Sequence, residues 1–157
     1  MNLVPGRLES LDYGQEFSIF IDYAHTQDAL FNVLSAIKEV TDAKIILVFG
    51  CGGNRDKTKR PEMGKVAGDL SDFSFVTSDN PRGENPSVII QEVVEGFEQD
   101  NYKVIENRQE AIEKALEYAK SGDIVLISGK GHENYQIFKD QTVAFDERQI
   151  IRQWILS

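Results

Sequence analysis

Cysteine is nearly absent from this chain of 157 residues, because Cys51 stands alone and no internal disulfide can form. A single thiol is typical of a reducing compartment, so we expect a cytoplasmic protein. No apolar run approaches the roughly 20 residues of a membrane helix, and no signal peptide is recognisable, so no membrane partner is predicted. With two histidines and one cysteine, a structural zinc site is not expected.

Positive charge is also scarce, with 17 Lys and Arg against 26 Asp and Glu, a net charge of −9. This balance argues against a nucleic acid partner, since neutralising phosphates needs clustered cations. The few cations nevertheless concentrate in one segment, which is either a solvated loop or an anion pocket; they are Arg55, Lys57, Lys59, Arg60 and Lys65.

Apolar runs alternate with helical patterns along the chain, which predicts one domain spanning residues 1–157. Strands are predicted at residues 17–23, 44–49, 73–77, 102–105 and 123–128, and a hairpin or edge pair at 135–138 and 142–145. Helices are predicted at 26–40 and 61–70, from Pro86 through Phe97, after an Asn107–Glu110 capping pair, and after Asp146. Residues 1–15 are the nearest approach to a boundary segment.

This alternation predicts an α/β fold with a Rossmann-like, mostly parallel sheet of about six strands, helices on both faces and one antiparallel edge element. In such sheets ligands bind at the carboxyl ends of the strands. Four unusual polar or glycine-rich loops follow predicted strands, at residues 22–25, 50–55, 79–82 and 129–133. We therefore expect a binding site where these loops meet.

The loop Asp79-Asn80-Pro81-Arg82 follows an apolar run and offers a carboxylate, an amide and a guanidinium in a row. Pro81 restricts its own backbone and that of the preceding residue, so these groups are held in place. They could hold a ligand that carries both charges, such as an amino acid. A plain polar turn is the alternative.

The glycine loop at residues 50–53 resembles a dinucleotide fingerprint, but the sixth position counted from Gly50 is Arg55 instead of glycine. A nicotinamide-dependent oxidoreductase is therefore disfavoured. No ATP-binding P-loop motif occurs in the chain either. The glycines would let the backbone approach a ligand, while Arg55 and Arg82 could share one carboxylate.

Three further side chains leave alternatives open. Glu133 could receive an ammonium group, whereas His132 beside it is more often structural than catalytic in such a setting. Cys51 could be a nucleophile or a buried structural thiol. His25 could contact a nucleotide or cap the helix that follows it.

Taken together, the loops resemble the C-terminal domain of the Mur ligases, most closely the MurE group of that family. The matching motifs occur in order over nearly the whole chain; they are Gly6-Arg7-Leu8-Glu9, Asp22-Tyr23-Ala24-His25-Thr26, Phe49-Gly50-Cys51-Gly52-Gly53, Arg55-Asp56-Lys57, Lys59-Arg60-Pro61, Met63-Gly64, Asp79-Asn80-Pro81-Arg82 and Gly129-Lys130-Gly131-His132-Glu133. Two departures are Gln27, where proline is usual, and Asn54, where many relatives have Asp.

The resemblance implies an ATP-dependent ligase of peptidoglycan synthesis that adds meso-diaminopimelate to UDP-MurNAc-L-Ala-D-Glu. It implies that meso-diaminopimelate is bound by Arg55, Asp79, Asn80, Pro81, Arg82, Gly129 and Glu133. The two arginines would hold carboxylates, and Glu133 would hold charge at the far end of the ligand. The residues implied to face the nucleotide are Arg7, Asp22 and His25, and no role follows for Lys130.

The resemblance also implies two further domains, one for the UDP-sugar and a central one that binds most of the ATP and Mg²⁺. The chain contains neither, so we expect an excised domain without catalytic residues of its own, without a metal site and without ligase activity alone. A stand-alone module that binds an amino acid or a nucleotide is the alternative from another functional class.

Overall fold

The central sheet contains strands too apolar to face water on either side. The computed structural model describes residues 8–131 and 133–157, and all five residues are buried in both Ile45–Phe49 and Ile124–Ser128. The strands in the described residues are β1 (Leu8–Leu11), β2 (Ser18–Asp22), β3 (Ile45–Phe49), β4 (Phe73–Val76), β5 (Tyr102–Val104), β6 (Ile124–Ser128), β7 (Tyr135–Ile137) and β8 (Thr142–Ala144). The helices are α1 (Gln27–Val40), α2 (Lys59–Leu70), α3 (Pro86–Val94), α4 (Arg108–Tyr118) and α5 (Glu147–Leu156).

The six-stranded sheet has the order β1-β2-β6-β3-β4-β5, and every neighbouring pair is parallel except β1 with β2. The predicted α/β fold class is thus confirmed. The antiparallel edge strand β1 comes from the segment that we interpreted as a boundary. Strands β7 and β8 pair antiparallel as predicted, and they form a small sheet of their own.

Helices cover both faces of the sheet and bury two apolar layers. On one face α1 and α2 contribute Leu30, Leu34 and Met63 to a cluster around Leu47. On the other face α4 and α5 pack a second cluster, with Ile112 and Ile151 against Ile46 and Val125. Burial on both faces explains why the strands read as continuous apolar runs.

The helix starts follow their local sequence signals. The side chains of Thr26, Asn85, Asn107 and Asp146 each accept a backbone hydrogen bond at the first turn of a helix, and Pro86 is the first helical residue. The prediction for Phe97 is wrong, because α3 already ends at Val94. A Cβ on Gly96 would lie 1.7 Å from the carbonyl oxygen of Pro61, so the chain turns there against α2.

Among the described residues, no helix combines the length and apolar character needed to cross a membrane.

Candidate functional site

Four neighbouring strands (β2, β6, β3 and β4) end at the same edge of the sheet, and their loops enclose a cleft of about 540 Å³. Of the site residues predicted from the sequence, those that line this cleft are His25, Arg55, Asp79, Asn80, Arg82, Gly129 and Glu133. Asp22 and Pro81 are buried and do not line it. The prediction for Arg7 falls outside the described residues.

The loops after β3 and β4 are joined backbone to backbone. The N–H of Gly53 donates to the carbonyl oxygen of Asn80 at 2.7 Å. A Cβ on Gly53 would lie 1.7 Å from the carbonyl oxygen of Pro81, and one on Gly50 would lie 2.2 Å from that of Thr77. Our expectation that these glycines open the backbone to a ligand is therefore wrong for Gly50 and Gly53, which instead allow two loops to touch.

Arg82 lies where these two loops meet, and its backbone conformation is unusual. Its φ is +54°, in the left-handed region that residues other than glycine rarely adopt. The N–H of Arg82 donates to the carbonyl oxygen of Ile137 at 3.0 Å, and Nη1 donates to that of Gly53 at 3.1 Å. Such strain persists only where the surroundings enforce it, and it is concentrated at functional sites.

Asn54 has a φ of +56°, also in the left-handed region. Asparagine tolerates this conformation better than most residues because its short polar side chain bonds locally. The departure from the family pattern at this position therefore suits the backbone of the loop.

Four of the five cations in the cluster are paired with carboxylates. Arg60 is buried, and it donates to the carboxylates of Glu84 at 2.7 Å and Glu92 at 3.1 Å. The cluster's lysines form exposed ion pairs with neighbouring carboxylates. Arg55 is exposed, lines the cleft together with Lys59 and Arg60, and has no hydrogen bond or ion pair within the described residues. Within this cluster, the anion-pocket interpretation stays a prediction for Arg55.

Glu133 connects three of the loops that line the cleft. Its Oε1 accepts from Nδ2 of Asn80 at 3.4 Å, and its Oε2 accepts from the hydroxyl of Tyr23 at 3.1 Å. This hydrogen bond is the main reason why the pKa of Tyr23 is raised. Sequence reasoning did not select Tyr23, although it stands in the quoted Asp22-Tyr23-Ala24-His25 motif.

Two fully buried cations lie directly behind the cleft. Nζ of Lys130 lies 2.9 Å from Oδ1 of Asn80 and 3.1 Å from Oδ1 of Asp79. Arg108 donates to the carbonyl oxygen of Ser128, at the end of β6, at 2.9 Å. Sequence reasoning missed Arg108, whose only signal was its place after the Asn107 cap.

Arg108 connects further elements behind the same wall. Its Nη1 donates to the carbonyl oxygen of Ser78 at 3.2 Å, and its Nε donates to Oε2 of Glu147 at 2.7 Å. One side chain therefore links α4, α5 and the strand ends that carry the loops of the site.

Asp22 and His25 have local contacts beside the cleft. Oδ2 of Asp22 accepts from the N–H of Ala24 at 2.7 Å, and Nδ1 of His25 lies 2.9 Å from the carbonyl oxygen of Tyr23. Because a carbonyl oxygen can only accept, Nδ1 carries the proton. Thr26 caps α1, so the helix-capping alternative for His25 is wrong.

Cys51 is half-buried in the lining of the cleft, where its thiol donates to the sulfur of Met63 at 3.4 Å. Burial raises the pKa of this thiol to about 12, which keeps it protonated at neutral pH. A structural thiol fits these observations, whereas a nucleophile does not. Across residues 8–131 and 133–157, no group of three or more His, Cys, Asp or Glu side chains could hold a metal ion.

The fold and the cleft define a class of ligase domain, and the sequence matches the family described as "Mur ligase, glutamate ligase domain" over residues 6–131. The chain belongs to the Mur ligase family.

Individual relatives narrow the comparison. The chain is 52% identical over 157 residues to a UDP-N-acetylmuramoyl-L-alanyl-D-glutamate–2,6-diaminopimelate ligase of Clostridium botulinum, which covers 99% of this chain and 32% of the relative. It is 50% identical over 146 residues to the protein of the same name from Listeria monocytogenes, covering 92% of this chain and 30% of the relative. The chain therefore spans about a third of the length of these curated relatives.

Solved structures agree with this placement. A structure of a ligase with the same name superposes with a TM-score of 0.90 at 40% identity, covering 99% of this chain and 32% of that one. Escherichia coli FolC in complex with ADP superposes with a TM-score of 0.62 at 20% identity, covering 83% of this chain and 29% of that one, a similarity that shows the fold alone.

Proposed function

We propose that this chain is the amino-acid-presenting domain of an ATP-dependent ligase that joins meso-diaminopimelate to UDP-MurNAc-L-Ala-D-Glu in peptidoglycan synthesis. The observation that carries the proposal is the arrangement of charge in the cleft. Arg55 and Arg82 line it from the loops after β3 and β4, and Glu133 lines it from the loop after β6. The names of relatives at about 50% identity support the same substrates.

The chemistry of the ligand matches this arrangement. meso-Diaminopimelate carries a carboxylate and an amine at each end, whereas L-lysine has a carboxylate at one end only. Arg55 and Arg82 offer the planar donors that bind carboxylates best, and Glu133 offers an acceptor for an ammonium group. Asp79, Asn80, Pro81 and Gly129 shape the wall between them. We therefore assign the selection of the second carboxylate to Arg82.

ATP and Mg²⁺ belong to the proposed reaction, but the described residues do not fit them as a main binding site. They include no cluster able to hold a metal ion, and the sequence has no P-loop motif. We propose that another domain binds both, with Asp22, His25 and Arg7 facing the nucleotide. The contribution of this chain is then orientation, since holding the amine in place removes much of the entropic cost of the encounter.

The test uses the complete ligase that carries this domain. Phosphate release is measured with ATP and UDP-MurNAc-L-Ala-D-Glu, and with meso-diaminopimelate or L-lysine as the amine. Arg82→Asn is the informative variant, because asparagine tolerates the left-handed backbone at position 82 while removing the guanidinium. We expect its KM for meso-diaminopimelate to rise about tenfold or more, as for the loss of a hydrogen bond from a charged group.

Arg152→Gln serves as a control, since Arg152 is exposed on α5 and does not line the cleft. Equal use of both amines by the unmodified enzyme would contradict the assigned substrate. An unchanged KM in Arg82→Asn would contradict the role of Arg82. A P-loop and a UDP-sugar domain in the same reading frame would exclude the stand-alone binding module.

A further inference from the structure

The orientation of the Asn80 side-chain amide is determined by two donors. Nζ of Lys130 lies 2.9 Å from Oδ1 of Asn80, and the backbone N–H of Ile137 lies 3.0 Å from the same oxygen. Neither group can accept a hydrogen bond, so the amide oxygen must face them. The amide nitrogen Nδ2 is thereby directed at Glu133, whose Oε1 it reaches at 3.4 Å.

Lys130 is held for this task by its surroundings. It has no solvent exposure, and its ammonium also donates to the carbonyl oxygen of Tyr135 at 2.9 Å and pairs with Asp79 at 3.1 Å. Desolvation lowers the pKa of Lys130, while attraction to Asp79 opposes that shift. A buried ammonium with three close oxygen partners has little freedom to leave Asn80.

The backbone on either side of Lys130 explains how its side chain turns inward. Gly129 has a φ of +120° and Gly131 a φ of +53°, conformations that favour glycine. A Cβ on Gly131 would lie 3.0 Å from Cβ of Tyr23, so this position also needs glycine for space. The two glycines bend the loop so that Gly129 lines the cleft while Lys130 is buried behind it.

We propose that Lys130 is a positioning residue that locks the amide of Asn80, so that the cleft presents an N–H donor to the amino-acid substrate. This inference rests on the proposed function. Without the ammonium, the backbone N–H of Ile137 is the remaining donor to Oδ1, so the amide is held less strongly and turns its oxygen towards the carboxylate of Glu133 more often. The site would then offer the ligand carboxylate one donor fewer.

The experiment separates Lys130 from the charge that it neutralises. Lys130→Met alone would leave Asp79 buried without its partner, so the comparison is made in an Asp79→Asn background, which removes that carboxylate. Lys130 also pairs with Glu133 at 3.8 Å, so the amide signals of residue 80 decide whether Lys130 acts through Asn80. Asp79→Asn and Asp79→Asn/Lys130→Met then differ only in the ammonium group. Lys139→Met is the matched control, because Lys139 is exposed between β7 and β8.

KM is measured on the complete ligase for meso-diaminopimelate and for ATP. We expect the double variant to raise KM for meso-diaminopimelate about tenfold over Asp79→Asn, with KM for ATP unchanged, because the loss of a hydrogen bond from a charged donor weakens the site by that order. A general loss of structure would move both constants. In the 157-residue chain, the ¹⁵N side-chain amide signals of residue 80, assigned by their absence in Asn80→Ala, should shift with the loss of Lys130.

Two results would overturn the inference, and they differ in what else they overturn. If the double variant matches Asp79→Asn in KM while Asn80→Ala raises it, Lys130 does not act through Asn80 and the proposed function is untouched. If Asn80→Ala leaves KM for meso-diaminopimelate unchanged, the role of Asn80 in the proposed function is wrong, and the role of Lys130 is wrong with it.

Discussion

Nη1 of Arg82 donates to the carbonyl oxygen of Gly53 at 3.1 Å, which ties the loop after β4 to the loop after β3. Two neighbouring positions next to this contact need glycine. Gly53 allows the close approach of the two backbones, and Gly52 leaves room for the guanidinium of Arg82. The substitutions that fill these two positions should therefore have different consequences.

Gly53→Ala should destabilise the fold. The added Cβ would lie 1.7 Å from the carbonyl oxygen of Pro81, a backbone atom that cannot move aside without separating the loops. We expect a loss of about 2 kcal/mol or more in the free energy of unfolding, measured by urea denaturation. Gly83→Ala is the matched control, because its Cβ would meet nothing closer than 3.6 Å. Equal stability of the two variants would contradict this account.

Gly52→Ala should impair binding more than stability. Its Cβ would lie 2.8 Å from Nη1 of Arg82, the end of a flexible side chain that can be displaced. We expect a raised KM for meso-diaminopimelate in the complete ligase, with a melting temperature close to that of the unmodified protein. A variant with unchanged KM would show that the position of the Arg82 guanidinium is not critical.

The Arg108–Glu147 pair should be strongly coupled, since neither side chain has any solvent exposure. Arg108→Met leaves Glu147 as an uncompensated buried charge, which typically costs about 3–5 kcal/mol of stability. Arg108→Met/Glu147→Met should recover much of that loss, because it strands no charge. A double-mutant cycle by urea denaturation measures the coupling, and strictly additive losses would refute it.

Acid should weaken the contact between the α2 start and the loop that carries Glu84. A hydrogen bond from Arg60 is the main cause that lowers the pKa of Glu84 from 4.5 to about 2. The carboxylate is therefore favoured in the folded state, so its stabilisation is complete above pH 4.5 and is lost as the pH falls towards 2. Glu84→Gln should flatten the decline in unfolding free energy over this range.

Glu62→Gln is the control for the acid experiment. Glu62 forms an exposed pair with Lys59 at 3.6 Å, and such pairs contribute little. If both variants follow the same pH profile, the buried partner Arg60 has no special effect on Glu84.

The helix caps and the central strands were predictable because their signals lie within a few residues of each other. Asn107 accepts from the N–H of Glu110 three residues later, as the sequence pattern predicted. Strand β1 was not predictable. Its four residues, Leu8–Leu11, alternate only weakly, and they gain their order by pairing with β2 across the sheet edge.

Some features of the candidate site were also predictable from the sequence, and others were not. Its loops were recognisable, since each combines glycine or proline with charge directly after an apolar run. Arg108 was not, because its partners Ser78, Ser128 and Glu147 lie 20 to 39 positions away along the chain. Lys130 was recognisable in its motif, but its contact with Asn80 spans 50 positions.

Residue order along the chain was enough to establish the α/β alternation, the helix starts, the four candidate loops and the family resemblance, since each depends on neighbouring residues. The tertiary fold alone determines that β6 lies between β2 and β3, which brings Glu133 into the same cleft as Arg82, while Lys130 and Arg108 are buried beside it. The physical reason is that strand order and burial are set by packing between distant segments, and desolvation then forces the charges to find partners there.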